Sequence, residues 1–316
     1  MLKRIHKVAV LGAGTMGSRI AAHLANAGVP SFLLDIVPPD ADAKARNKIA
    51  QAGLDAAIKS KPAAFFEPSL ARLITVGNFE DNLSWVAEVD WIIEAVAENL
   101  EIKRSLLKRV EAARCPGTIT TTNTSGLPVS KIAEGFSEDF RRHWFGTHFF
   151  NPPRYMRLLE IIPTQESDRA AIDAIAHFAD LRLGKGVVYA KDTPNFIANR
   201  IGTFSVLNAM RLMQELDLSI EEVDALTGSA AGWPKSATFR TIDLVGLDVL
   251  ASVVSNFLRN VRDERSDLEV PSFIQQMVER KWLGDKTRGG FYKRVKTGDR
   301  EERLGLDWKT LEYRPQ

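Results

Sequence analysis

The chain has 316 residues, 45% hydrophobic and 26% charged, enough for about two domains at the usual roughly 100 to 200 residues each. Its 42 Lys and Arg against 40 Asp and Glu leave a net charge of +2, too balanced to attract a nucleic acid or a membrane surface at long range. No apolar run reaches the roughly 18 residues of a membrane span, and the first apolar stretch, in MLKRIHKVAVLGAG, ends in a glycine loop instead of a signal-cleavage site. A cytoplasmic protein with no nucleic-acid partner and no membrane insertion is the expectation.

Taken in chain order, KVAVLG (7–12), SFLLD (31–35), ARLITVG (71–77), DWIIEAV (90–96), GTITTT (117–122), WFGTHFF (144–150), RLLEIIP (157–163) and GVVYAKD (186–192) read as strands. Several are apolar without alternation, as expected where helices cover both faces of a sheet. Helix-periodic segments lie at 15–28, 42–60, 100–113 and 168–182. That order predicts an α/β fold of Rossmann type, a doubly wound and mostly parallel sheet. After Pro194 the segments NFIANRIGTFSVLNAMRLMQEL, SIEEVDALTG, LVGLDVLASVVSNFLRNV and PSFIQQMVERKW are helical and no clear strand follows. The reading is therefore a nucleotide-binding domain over 1–192, an all-helical C-terminal domain over 193–295 behind the hinge KDTP, and a tail or linker over 296–316. The lone Cys115 has no partner for an internal disulfide and reads as a small buried apolar residue.

In VAVLGAGTMGSRIAAHLANAG, Gly12, Gly14 and Gly17 stand in G-x-G-x-x-G order directly after a strand and at the start of a helix, with Thr15 and Met16 in the same loop. Gly12 makes the tight turn, Gly14 lets the backbone approach a pyrophosphate, and Gly17 allows close helix packing, so the phosphates meet free helix amides. Asp35 ends the second strand 18 residues beyond Gly17, where a carboxylate accepts hydrogen bonds from ribose hydroxyls. Because DIVPPD has no arginine and Asp35 repels a 2′-phosphate, the expected cofactor is NAD rather than NADP.

Hydride transfer from an alcohol requires a base for the hydroxyl proton, and a histidine, with a reference pKa of ~6.5, suits that role. Of five histidines, His6, His23, His143 and His177 read as structural. His148 stands apart in THFFNPP, because Asn-Pro-Pro stops the strand and leaves the imidazole near a sheet edge where ligands bind. The next strand carries Glu160 in RLLEIIP, a carboxylate among apolar neighbours that needs a partner, and an imidazole is a suitable one. An outward-facing Glu160 on an edge strand is the alternative.

Together, GAGTMG, EAVAENLEIKRSL, TNTSGLPVSKIA, THFFNPPRYMRLLEII, KDTPNFIANR and DKTRGGFYK resemble the L-3-hydroxyacyl-CoA dehydrogenases of fatty-acid β-oxidation, in colinear order over residues 5–294. The resemblance implies an NAD domain, a helical domain that dimerises, and an acyl-CoA substrate. By motif it implies that His148 is the catalytic base, Glu160 its paired carboxylate, Ser125 a hydrogen-bond partner of the substrate oxygen, and Asn199 the amide that polarises the reacting group. Glu98, Lys103, Asn151 and Lys286 fall on positions that contact NAD, and Lys59 on a lysine of the helical arm that receives CoA.

Two rival readings are a dehydrogenase of a free β-hydroxy acid, which relies on a lysine where NFIANR offers an asparagine, and a catalytically silent NAD-binding relative, which has no need of His148 with Glu160. The segment REERLGLDWKTLEYRPQ resembles the stretch that leads onward in larger fused β-oxidation enzymes, so a homodimer and a piece of such an enzyme are both open.

Overall fold

The computed structural model describes residues 3–39, 41–260, 269–297 and 300–316, which fall into two compact units, Met1–Phe196 and Ile197–Gln316. Val261, the last residue of one expected helix, and Asp40 of DIVPPD lie outside the described residues. Among the described residues no helix is long and apolar enough to cross a membrane.

The first unit runs β1 (Val8–Leu11), α1 (Thr15–Asn26), β2 (Ser31–Asp35), α2 (Lys48–Ile58), β3 (Ile74–Asn78), β4 (Trp91–Glu94), α3 (Leu100–Ala113), β5 (Ile119–Thr122), α4 (Val129–Ile132), α5 (Glu138–Arg142), β6 (Trp144–Phe149), β7 (Leu158–Pro163), α6 (Arg169–Leu183) and β8 (Gly186–Tyr189). All eight expected strands join one sheet in the order β3-β2-β1-β4-β5-β6-β7-β8. Every pairing is parallel except that of β6 with β7. The Rossmann-type expectation is therefore met, and the winding reverses between β1 and β4, where such sheets bind ligands beyond the strand ends.

Continuous apolar runs make sense here because both faces are covered. On β1, Val8 and Val10 join a core with Ile20 and Leu24 of α1, whereas Ala9 and Leu11 join one with Leu106 and Val110 of α3. Each of the Val, Ile and Leu side chains, on full burial, stabilises the fold by about 1.5 to 3 kcal/mol. The helix expected from residue 42 starts only at Lys48, because the Asp42 carboxylate accepts from the amides of Lys44 and Ala45 and holds that stretch in a turn. Cys115 is exposed, contrary to the reading as buried. It follows the C-cap residue Arg114 of α3, where the chain crosses the surface, and its thiol donates to the Ala87 carbonyl.

The second unit contains α7 (Ala198–Glu215), α8 (Ile220–Thr227), α9 (Phe239–Val245), α10 (Leu247–Asn260) and α11 (Ser272–Glu279). It is helical as expected, but not wholly so. Residues of the expected tail form β10 (Arg300–Asp307) and β11 (Glu312–Pro315), which extend β9 (Tyr292–Thr297) into a three-stranded antiparallel sheet. Leu306 of this sheet and Leu311 of the turn between β10 and β11 are buried with Met213, Phe239, Met277 and Phe291. The few apolar residues of these strands are spaced among Arg, Glu and Lys and so carry little signal in the sequence. Buried Asp243 on α9 fastens the sheet by accepting from the amides of Phe291 and Tyr292, each at 2.9 Å. Burial pushes its carboxyl up to about 6, against the pull of those two amides.

Candidate active site

The ends of β1, β2, β4, β5 and β6 build the site. At the end of β1, Gly12 has a φ of +103° and packs on the Ala95–Val96 backbone that leaves β4, so a Cβ there would strike the Ala95 carbonyl. Gly17 lies directly against the Gly12 carbonyl. Gly14 differs: a Cβ there would meet nothing within 4 Å, so the space it leaves is open for a ligand rather than filled by protein. It is the N-cap of α1 with no side-chain cap and no acid in the first turn, which leaves the helix amides for an anion. Thr15 is exposed in that turn, while Met16 packs against the core.

A cleft of about 590 Å³ opens here, lined among others by Gly12, Gly14, Asp35, Ile36, Val96 and Ile102. That size suits a cofactor. Asp35 reaches into it from β2 while its carboxylate accepts from the amides of Ala13 and Ile36, which ties the strand end to the glycine loop. An open glycine, an uncapped helix start and a carboxylate facing one cleft fit a dinucleotide.

At the end of β6, buried His148 stands directly opposite buried Glu160 of β7 in the antiparallel register. Its Nδ1 is 2.7 Å from Glu160 Oε2 and its Nε2 is 3.0 Å from Ser125 Oγ. The pairing follows from the Asn-Pro-Pro stop: β6 ends, the chain reverses, and the return strand places Glu160 beside His148. The alternative of an outward-facing Glu160 is excluded. Rings of Phe150 and Phe196 flank the imidazole with centroids 4.5 and 5.5 Å away.

Glu98 shapes the turn after β5. One carboxylate oxygen accepts from the amides of Ser125 and Gly126 at 3.0 and 2.9 Å and from the Thr124 hydroxyl. The other lies 3.4 Å from Lys103 Nζ. Burial works to raise the Glu98 carboxyl, but the Lys103 ammonium and the donors of this turn outweigh it and hold it below the ordinary range.

Lys103 itself is buried and pairs at 2.7 Å with Glu94. Asn151 accepts from Arg19 of α1, which draws the Asn-Pro-Pro loop toward the nucleotide helix. Lys59 is exposed at the C-cap of α2, and the structure gives it no further role. Asn199 lies in the first turn of α7 and Lys286 pairs with Asp248; both belong to the second unit.

Two further residues at the site, Glu94 and Lys185, are not among those that the motifs assign. Glu94 is a carboxylate inside the apolar run DWIIEAV, the same signal that singles out Glu160 in RLLEIIP. Lys185, buried just before β8, donates to the carbonyls of Pro153 and Met156 and so anchors the loop that follows His148. Burial brings its ammonium down to about 8. A lysine flanked by two glycines in LGKG gives no sequence cue to this role.

Comparison with known proteins follows the two units. Residues 7–193 match the family model described as 3-hydroxyacyl-CoA dehydrogenase, NAD binding domain, and residues 196–294 match its C-terminal domain. A Deinococcus radiodurans protein named a probable 3-hydroxyacyl-CoA dehydrogenase is 47% identical over 93% of the chain and 84% of its own length. A Bacillus subtilis protein of the same name is 47% identical, also over 93% of the chain, yet the chain spans only 39% of that relative. Among solved structures, the (S)-3-hydroxybutyryl-CoA dehydrogenase of Ralstonia eutropha superposes with a TM-score of 0.73 at 27% identity, covering 91% of this chain and 98% of that one.

Proposed function

The chain belongs to the 3-hydroxyacyl-CoA dehydrogenase family, and on that premise we propose that it oxidises an L-3-hydroxyacyl-CoA to the 3-ketoacyl-CoA with NAD, as a step of fatty-acid β-oxidation. The observation that carries the reading is the Ser125–His148–Glu160 array at the same end of the sheet as the glycine-loop cleft.

The glycine loop with Thr15 and Met16, together with Asp35, Glu98, Lys103 and Asn151, would hold NAD, which supplies the hydride acceptor. His148 Nε2 removes the proton of the C3 hydroxyl. Glu160 fixes the ring through Nδ1 and compensates the imidazolium that forms. Ser125 Oγ, already on the Nε2 side, receives and orients the substrate oxygen, and Asn199 and Lys286 are assigned to substrate and cofactor from the second unit. Orientation and preset charge then provide most of the acceleration. Lys59 is assigned to the CoA moiety, and a homodimer or a larger fused enzyme is the assembly in which the chain works.

Two features support this over a free β-hydroxy acid dehydrogenase or a silent NAD-binding relative: an asparagine stands at position 199, and His148 and Glu160 are paired. The test is spectrophotometric. Acetoacetyl-CoA added to protein and NADH should consume the nicotinamide absorbance, with free acetoacetate inert; no turnover of the thioester would remove the reading.

A further inference from the structure

We propose that Glu94 is a positioning residue that couples the nucleotide loop to the catalytic hydroxyl, a claim that rests on the reading above. The Glu94 carboxylate is fully buried at the end of β4, beside the point where the sheet's winding reverses. A bare charge there is costly, and Glu94 has four contacts to offset the cost. Oε1 accepts from the Val96 amide and from Lys103 Nζ, both at 2.7 Å. Oε2 accepts from Lys103 Nζ at 3.0 Å and from the Thr122 hydroxyl at 2.6 Å. A buried ion pair of this kind is often no more stable than apolar residues of the same volume, so stability alone does not explain it.

Geometry supplies the explanation. Through Val96, Glu94 fixes the Ala95–Val96 turn on which Gly12 packs. Through Lys103 it fixes the ammonium that faces Glu98 Oε2, and Glu98 Oε1 gathers the turn bearing Ser125. Ser125 Oγ is thereby delivered 3.0 Å from His148 Nε2. One carboxylate thus sets both the floor of the dinucleotide cleft and the position of the hydroxyl. With Glu94 neutral, Lys103 keeps only Glu98 as an anion, draws it in, and shifts the Ser125 turn.

The test compares wild type, Glu94→Gln, Ser125→Ala and the double variant. Binding is read from NADH fluorescence, turnover from acetoacetyl-CoA reduction, and folding from the melting temperature. Glu94→Gln should weaken NADH about tenfold and lower kcat about tenfold or more, each roughly one misplaced hydrogen bond, with KM for the thioester unchanged. In the Ser125→Ala background its effect on kcat should largely vanish, because both changes act on one hydroxyl. A folded Glu94→Gln protein with wild-type NADH affinity and kcat overturns the proposal, as do kcat losses that multiply independently. Should Glu94→Gln fail to fold, Thr122→Val removes one hydrogen bond to Glu94 together with the acceptor of the Thr124 amide, and must weaken NADH in the same direction at smaller size. If wild type does not turn over the thioester, the functional reading fails, and NADH binding still decides the role of Glu94.

Discussion

His148 Nδ1 lies 2.7 Å from Glu160 Oε2, across a register in which the two residues face each other on antiparallel β6 and β7. The contact engages Nδ1 and leaves Nε2 to Ser125, so ring orientation is built into the sheet rather than left to a loop rotamer. Glu160→Gln keeps the shape but removes the charge and allows the amide NH₂ to confront Nδ1–H. Its expected kcat is about 10² to 10⁴-fold below wild type, with NADH affinity little changed. His148→Ala should fall in the same range. Steady-state rates with NADH binding on each variant check this, and wild-type turnover by Glu160→Gln would take the carboxylate out of the mechanism.

His23 on α1 predicts an acid-labile fold. It is buried, with Nε2 3.1 Å from the Leu183 carbonyl and Nδ1 without a hydrogen-bond partner. Burial foremost, and then the nearby Lys185 ammonium, pull its pKa down from 6.5 to about 4. Between those values the unfolded chain carries a proton that the folded one lacks, so stability is full above about 6.5 and declines as the pH falls towards 4. The whole gap is worth on the order of 3 kcal/mol. Melting temperatures should drop between pH 7 and pH 4.5, and the drop should shrink in His23→Gln. An equal drop in that variant would assign the lability elsewhere.

Most strands of the first unit were legible because they are buried on both faces and largely apolar or β-branched, whereas β8, mostly exposed at the sheet edge, was legible from its Val and Tyr residues alone. The glycine loop and Asp35 were legible because chemistry dictates their spacing. His148 with Glu160 could be picked out for a simpler reason: a charge amid apolar residues asks for a partner. The same rule applies to Glu94, whose three partners come from the next turn and from α3 and β5, none adjacent to it in sequence. Lys185 was opaque because its partners are backbone carbonyls, which any sequence supplies. The turns that set Ser125 likewise depend on Glu98, more than 20 residues upstream.

Asp35 predicts cofactor choice. Its carboxylate holds the Ala13 amide and faces the cleft at the end of β2, so a 2′-phosphate would meet a fixed negative charge. Wild type should prefer NADH to NADPH by about 10² or more in kcat/KM. Asp35→Asn should weaken NADH about 10- to 100-fold, the usual worth of a hydrogen bond to a charged group, and narrow the preference. Measuring both cofactors on both proteins is decisive, because an unaltered preference would show that discrimination lies at another residue.

Leu306 is fully buried in the second unit's core, and its amide donates to the Phe291 carbonyl at 2.9 Å. On the neighbouring turn Trp308 lies against Phe273 of α11 and donates to the Leu218 carbonyl at 2.9 Å. If these residues were a linker, truncating Leu306 would cost nothing. As part of a packed core, Leu306→Ala removes buried methyl groups and leaves a cavity among Phe239, Phe291 and Met277, costing about 2 to 5 kcal/mol. Exposed Glu312 on β11 serves as the control, with Glu312→Ala expected to change stability by less than about 0.5 kcal/mol. Urea unfolding followed by tryptophan fluorescence separates the cases, and equal midpoints for both variants would mean that the strands add nothing to the fold.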